Sequence, residues 1–260
     1  NTGRQQFSSS GTQSSGLAFG GEPPRTGKTE AWNGTSWTEV ADLAVAVDEN
    51  NGSDQGGSTT ALSFGGNSAI TNTEEWTAPA IFTKQNLGQV YFNSTTNTFK
   101  VTQNVLGTGA WSSGGALNTA RYSAGGSGTQ TAGLAAGGTP PGTLNNSEEY
   151  NGTSWTEGNN LVTGTQWFSM TGTQTATIGA GGFTPSITAN AQAYDGTSWT
   201  EVNDLNLARY GMGCFGIYTS AIVAGGASPA TSPQKRAETE SWDGTSWTEV
   251  NDLNEVKHSL

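Results

Sequence analysis

The sequence predicts an all-β protein, a five-bladed β-propeller, and two repeated features support this fold class. A Gly-Gly pair after a short apolar run occurs five times, at Gly20 and Gly21, Gly65 and Gly66, Gly137 and Gly138, Gly181 and Gly182, and Gly225 and Gly226. A tryptophan follows each pair, at Trp37, Trp111, Trp155, Trp199 and Trp247. Most intervals are 44 to 48 residues. A unit of about 45 residues is therefore present five times, and one copy carries an insertion.

Each unit contains four short strand candidates and no helical pattern. In 117–162 the candidates are "ARYSAGGSG", "AGLAAGG", "SEEY" and "SWTEG", which we name strands A to D. They are separated by Gly, Asn, Pro and Thr, which are typical of turns. A single antiparallel unit cannot bury both of its faces, but units repeated around an axis cover one another, as in a propeller. A β-solenoid is the alternative, although solenoid coils are usually shorter than this repeat.

The repeats divide the chain into five predicted blades, at about 1–43, 44–116, 117–162, 163–205 and 206–253. The second blade contains an insertion at 80–110, in which "QVYFN" and "TFKVT" alternate in polarity and predict an extra β-hairpin. The insertion leaves open that 1–79 end one propeller and 111–260 begin another. Residues 254–260 resemble the start of strand A, so we expect a further strand or a clasp there.

An Asn-Gly or Asp-Gly pair stands between strands C and D in four units, within "NGTSW" or "DGTSW". These pairs favour a tight hairpin, because both residues tolerate positive φ. The aromatic residues on either side of the turn are expected to pack near one another.

The repeat resembles the kelch repeat, in which an Arg near the start of strand A precedes the Gly-Gly pair, an aromatic residue, a turn and a Trp. Arg4, Arg121 and Arg209 hold the Arg position, whereas the second unit has Val45 and Ala46 near that place. The repeats also resemble those of repeat-rich proteins from marine bacteriophages. The kelch resemblance implies a β-propeller and leaves the activity open.

Composition argues against several functional classes. Only 12% of residues are charged and the net charge is −11, so no nucleic-acid surface is predicted. No apolar run is long enough to span a membrane. One Cys and one His cannot supply the copper site of galactose oxidases that contain kelch repeats. We predict no cofactor and no enzymatic activity, with a glycan-active propeller enzyme as a distant alternative.

Variable loops between strands B and C are the predicted recognition surface, because variation on a uniform scaffold is typical of binding. Blades 1 and 5 contribute four basic residues to these loops, which form a candidate patch for an anionic glycan or a partner protein: Arg25, Lys28, Lys235 and Arg236. Asp48, Asn50 and Asp54 form a candidate calcium site, although the spacing also fits a solvated turn.

These observations predict a non-enzymatic binding or structural module. We expect it on a virion, as a fibre or decoration domain, or in another extracellular setting. Its expected partner is a host surface glycan or another virion or extracellular protein. A purely structural assembly domain without a ligand is the alternative.

Overall fold

The computed structural model describes residues 3–53, 55–78, 90–95, 97–101, 109–140, 142–228 and 235–257. All regular secondary structure in these ranges is β-strand. No helix suited to crossing a membrane is found among the described residues. The all-β prediction is confirmed.

Five antiparallel sheets of four strands are arranged in a ring and form the blades of a propeller. Blade 1 contains β1 (Ser8–Thr12), β2 (Ser15–Phe19), β3 (Thr29–Trp32) and β4 (Trp37–Glu39). Blade 2 contains β5 (Asn51–Gly52), β6 (Thr60–Phe64), β7 (Thr73–Thr77) and, after a hairpin of β8 (Val90–Asn93) and β9 (Thr98–Val101), β10 (Ala110–Ser113). Blade 3 contains β11 (Gly125–Thr129), β12 (Ala132–Ala136), β13 (Ser147–Tyr150) and β14 (Trp155–Glu157).

Blade 4 contains β15 (Ser169–Thr173), β16 (Ala176–Ala180), a small pair of β17 (Phe183–Thr184) and β18 (Ser186–Ile187), then β19 (Ala191–Tyr194) and β20 (Trp199–Val202). Blade 5 contains β21 (Gly213–Ile217), β22 (Ser220–Ala224), β23 (Thr239–Trp242) and β24 (Trp247–Val250). In every blade the four main strands pair in chain order, as strands A to D. The predicted five-bladed propeller with an inserted hairpin is therefore confirmed, while 79–89, 96 and 102–108 of the insertion region lie outside the described residues.

The C–D turns are hairpins, as predicted, but only the glycine of each Asn-Gly or Asp-Gly pair has positive φ. Tyr150 pairs with Trp155, so four residues form the loop, and among them only Gly152 has positive φ, at +86°. Asn151 Oδ1 accepts hydrogen bonds from the amides of Thr153 (3.0 Å) and Ser154 (2.9 Å). The side chain before the glycine therefore holds the turn, as in an Asx-turn. As expected, the flanking rings pack, with Tyr150 and Trp155 centroids 4.9 Å apart.

Apolar residues between consecutive blades form the core. Phe19 of blade 1 packs edge-on to Trp111 of blade 2 at 5.0 Å, and Phe64 of blade 2 packs in the same way on Trp155 of blade 3. Trp155 Nε1 also donates to Thr73 Oγ1, at 3.0 Å. The tryptophan that begins strand D therefore fastens a blade to the blade before it.

The Gly-Gly pairs of blades 1 to 4 each join their blade to the next one. The second glycine donates its amide to the carbonyl of one residue of the next blade, which we call the opening residue. These donor and acceptor pairs are Gly21 and Val47 (2.7 Å), Gly66 and Arg121 (3.1 Å), Gly138 and Thr165 (2.8 Å), and Gly182 and Arg209 (2.9 Å). Arg4 is the counterpart of these opening residues in blade 1. The sequence placed Val45 and Ala46 near this position, and the hydrogen bond identifies Val47 instead.

Arginine at the opening position forms a buried ion pair in blades 1, 3 and 5, and in blade 1 Arg4 Nη2 lies 3.3 Å from Glu30 Oε2. Arg121 Nη2 lies 2.6 Å from Glu148 Oε1 and neither side chain is exposed; Arg209 and Glu240 repeat the arrangement at 2.9 Å. Burial lowers the pKa of Arg121, because desolvation disfavours its charge, while Glu148 opposes that shift. The arginine at this repeat position is therefore an internal structural residue.

Candidate functional site

Five residues with left-handed backbone surround the propeller axis. Each stands two positions after the opening position, and their φ values are +54° at Gln6, +53° at Glu49, +51° at Ser123, +56° at Trp167 and +63° at Gly211. We call them the axial residues. Two neighbouring pairs of axial residues are linked through the backbone, since Glu49 N donates to Gln6 O (3.0 Å) and Trp167 N donates to Ser123 O (2.7 Å).

The axial residues line a cavity of about 210 Å³ to which all five blades contribute. The first residues of the innermost strands complete its wall. Strand A starts beside the end of strand B, as the pairing of Ser8 with Phe19 shows. The cavity therefore opens at the end of the propeller that carries the B–C loops.

Blades 1 to 3 provide a polar wall. Glu49 Oε1 accepts a hydrogen bond from Gln6 Nε2 at 2.9 Å, and Glu49 Oε2 accepts one from Ser123 Oγ at 2.8 Å. Burial raises the pKa of Glu49 above its ordinary value, and the hydrogen bonds from Ser123 and Gln6 oppose that shift. The wall thus presents a half-buried carboxyl group whose two neighbours hold its orientation.

Blades 4 and 5 provide an aromatic wall. Trp167 is half-buried, and its ring lies edge-on to Tyr210 with centroids 6.2 Å apart. The axial residue of blade 5, Gly211, has no side chain. Phe7 of blade 1 is partly exposed at the cavity, and the Arg4 guanidinium lies 5.8 Å from its ring centroid.

The predicted basic patch is placed at this same end, but three of its four cations have acidic neighbours. Arg25 Nε lies 2.5 Å from Asp48 Oδ1, and the remaining ion pairs are Lys28 with Glu39 (3.3 Å) and Arg236 with Glu238 (3.2 Å). Lys235 is exposed and forms a backbone bridge with Ala227. The ion pairs reduce the net positive charge that these loops present.

The candidate calcium ligands make other contacts. Asp48 is buried beside Arg25, and its Oδ2 accepts a hydrogen bond from Asn67 Nδ2 at 3.2 Å. Asn50 Nδ2 donates to Ser63 Oγ at 2.9 Å, and Asp54 lies outside the described residues. No cluster of three His, Cys, Asp or Glu side chains suited to a metal is found within the described ranges.

Sequence reasoning missed the axial residues. The predicted recognition surface rested on variation in the B–C loops, whereas the axial residues lie before the start of strand A. The signal was available, since a fixed offset from the opening position holds five different residue types, Gln, Glu, Ser, Trp and Gly.

Comparison with known proteins identifies no family for this chain. A scan against protein-family models found no match, and a search of curated proteins found no relative.

Proposed function

We propose that the protein is a non-enzymatic binding module that takes one sugar unit of a glycan in its axial cavity. The observation that supports this proposal is the division of the cavity into a polar wall of Gln6, Glu49 and Ser123 and a wall that contains Trp167. The cavity is smaller than the roughly 300–1,000 Å³ pockets typical of drug-sized ligands. Its volume suits a single small polar ring.

The two walls match the two surfaces of a sugar ring. Hydroxyl groups around the ring can donate to a carboxylate and accept from an amide, which Glu49 and Gln6 supply. The C–H groups on the ring face are apolar and can pack against an indole, whose area is large and rigid. We therefore place the sugar face on Trp167 and its hydroxyl groups toward Glu49.

The composition of the cavity favours binding over hydrolysis. Glycoside hydrolysis generally uses two carboxyl groups that flank the scissile bond. Glu49 supplies the single carboxyl group among the described lining residues. The nearby Asp48 is directed to Arg25 instead.

The proposed setting is a virion surface or another extracellular location, with a host surface glycan as the partner. This part of the proposal rests on the resemblance of the repeats to kelch repeats and to those of marine bacteriophage proteins.

The experiment is a glycan array probed with the whole chain, followed by calorimetry with the sugars bound. Trp167→Ala should weaken binding at least tenfold, because the stacking surface is lost, and Glu49→Gln should weaken it by a similar factor. Phe99→Ala is the matched control, since this aromatic side chain is 75% exposed on the inserted hairpin. The control should bind as the unmodified chain does.

The pH dependence provides a second readout at the same site. Above the raised pKa of Glu49 the carboxylate accepts hydrogen bonds from the sugar, so affinity should fall as the pH is lowered through that pKa. Glu49→Gln should remove this dependence.

Two results would contradict the proposal. Binding that survives Trp167→Ala and Glu49→Gln but disappears in the Arg25→Ala, Arg236→Ala double variant would place the site in the B–C loops. A chain that binds no sugar on the array would favour the structural assembly role.

A further inference from the structure

Four apolar clusters, each between consecutive blades, contain most of the described core. They join blades 1 and 2, blades 2 and 3, blades 3 and 4, and blades 4 and 5. We call the face of a blade that is directed to the next blade in the chain its following face, and the opposite face its preceding face. We use the name seam for the following face of blade 5 together with the preceding face of blade 1.

The following face of blade 5 is apolar and exposed. Phe215 pairs with Ile222, so both side chains lie on this face, where Phe215 is 55% exposed and Ile217 is 54% exposed. The equivalent strand A residues in blades 1, 3 and 4 are small, polar and buried: Ser10, Ser127 and Thr171. Large apolar residues thus replace small polar ones at this following face, on which no described blade packs.

The preceding face of blade 1 carries an exposed aromatic residue. Trp37 is 42% exposed, whereas Trp155, Trp199 and Trp247, at the same repeat position, are 5%, 5% and 6% exposed. The difference follows from packing, since the three buried rings each belong to a cluster shared with the blade before. Trp37 thus holds the position of an inter-blade anchor, and no preceding blade packs on it among the residues that the structure describes.

The register of the last described segment shows how a sheet would enter the seam. Lys257 O accepts a hydrogen bond from Gly226 N at 2.8 Å, the contact that opening residues make with the other Gly-Gly pairs. Lys257 N donates to Arg236 O, also at 2.8 Å. Lys257 thus occupies the opening position beside blade 5, which Arg4 would hold if blade 1 followed blade 5 directly.

We propose that the seam is an interface for a sixth four-stranded sheet of the same repeat, entering the ring through Lys257. Its strand D tryptophan would cover Ala224, the counterpart of Phe64, which packs on Trp155. Its inner strands would cover Phe215, as Thr177 in strand B of blade 4 covers Ser127. The apolar residues of its strand B would cover Trp37, as Phe19 covers Trp111. The seam is thus specific for a sheet with this repeat's own side chains.

The test extends the chain after Lys257 with a copy of residues 122–161, which continues the register because Lys257 matches Arg121. Hydroxyl-radical footprinting, read by peptide mass spectrometry, then compares Trp37 and Phe215 with the buried reference Trp247. Oxidation of Trp37 should fall about sevenfold on extension, from the level of a 42% exposed ring to that of a 6% exposed ring. Phe215 should be protected together with it.

Two further extensions control for folding of the added sheet. A copy of 122–161 that carries Trp155→Asp should protect neither Trp37 nor Phe215, because it lacks the ring that fastens a blade to the blade before it. A copy of 166–205 provides an independent sheet, and it should protect Trp37 as the first copy does.

Three results would overturn the proposal. Trp37 of the unextended chain could already be oxidised as slowly as Trp247 in dilute solution, which would mean that blade 1 closes on blade 5. Protection of the unextended chain that rises with protein concentration would identify a second copy as the occupant. Failure of both unsubstituted extensions to protect Trp37 would show that the seam does not accept this sheet.

Discussion

The buried ion pair of blade 3 gives the sharpest test of what holds the blades together. Arg121 and Glu148 are fully buried, and Arg121 Nη1 also donates to the carbonyls of Gly137 (2.8 Å) and Asn146 (3.0 Å). Arg121→Thr would leave a buried carboxylate and two carbonyl groups without these donors. Removing one partner of such a pair costs about 3–5 kcal/mol of stability.

Blade 4 indicates how that loss can be compensated. Its opening residue is Thr165, and the position of Glu148 is held by the neutral Gln192. Gln192 Nε2 donates to Thr163 O (3.0 Å) and Gln192 Oε1 accepts from Thr163 N (3.2 Å). In blade 4, therefore, neutral residues replace both the arginine and the glutamate of the ion pair.

We therefore expect the double variant Arg121→Thr, Glu148→Gln to be about 2 kcal/mol more stable than Arg121→Thr alone, since contacting residues couple by about 0.5–3 kcal/mol. Urea unfolding, followed by both tryptophan fluorescence and circular dichroism, measures the free energies. Lys28→Thr is the control: its ion pair with Glu39 is exposed, and such pairs contribute about 0–1 kcal/mol. A double variant no more stable than Arg121→Thr would refute the compensation.

Two further predictions concern the contacts between blades. Trp247 Nε1 is buried without a hydrogen-bond partner in the described structure, and blade 4 has Ala191 where blade 2 has the acceptor Thr73. Ala191→Ser should supply an acceptor and raise the free energy of unfolding by about 1 kcal/mol, measured in urea. Gly137 and Gly142 have φ of +68° and +70°, but a Cβ on Gly137 would lie 2.2 Å from a backbone oxygen, whereas one on Gly142 meets nothing within 4 Å. Gly137→Ala should lower the melting temperature clearly more than Gly142→Ala, and equal losses would contradict the close-approach argument.

The ring of blades could be predicted because the residues that join blades recur at fixed intervals. Gly-Gly pairs and strand D tryptophans make the same contacts in successive interfaces between blades. Their spacing in the sequence therefore predicts the number and arrangement of the blades. The hairpin at β8 and β9 was predictable for a similar local reason, since alternation along "QVYFN" and "TFKVT" is a property of neighbouring residues.

The axial site could not be assembled in this way. Gln6, Glu49 and Ser123 are far apart in sequence, and their hydrogen bonds depend on the curvature of the ring. The role of Arg25 was equally non-local, because its partner Asp48 belongs to the next blade. A charge in a variable loop is visible in the sequence, whereas the carboxylate that neutralises it is found only in three dimensions.

The residue types at the axial position can be compared with the residue type that the fold alone would favour there. An L-residue in the left-handed region costs on the order of 1 kcal/mol, and glycine avoids most of that cost. Blade 5 shows that the repeat accepts glycine there, at Gly211 with φ of +63°. If the position served the fold alone, glycine would be the more stable choice in all five blades. Four blades instead keep side chains at the cavity despite the strain, and such strain is typical of functional sites. This supports the proposed role of the axial side chains in recognition, whereas the Gly-Gly pairs and tryptophans join the blades.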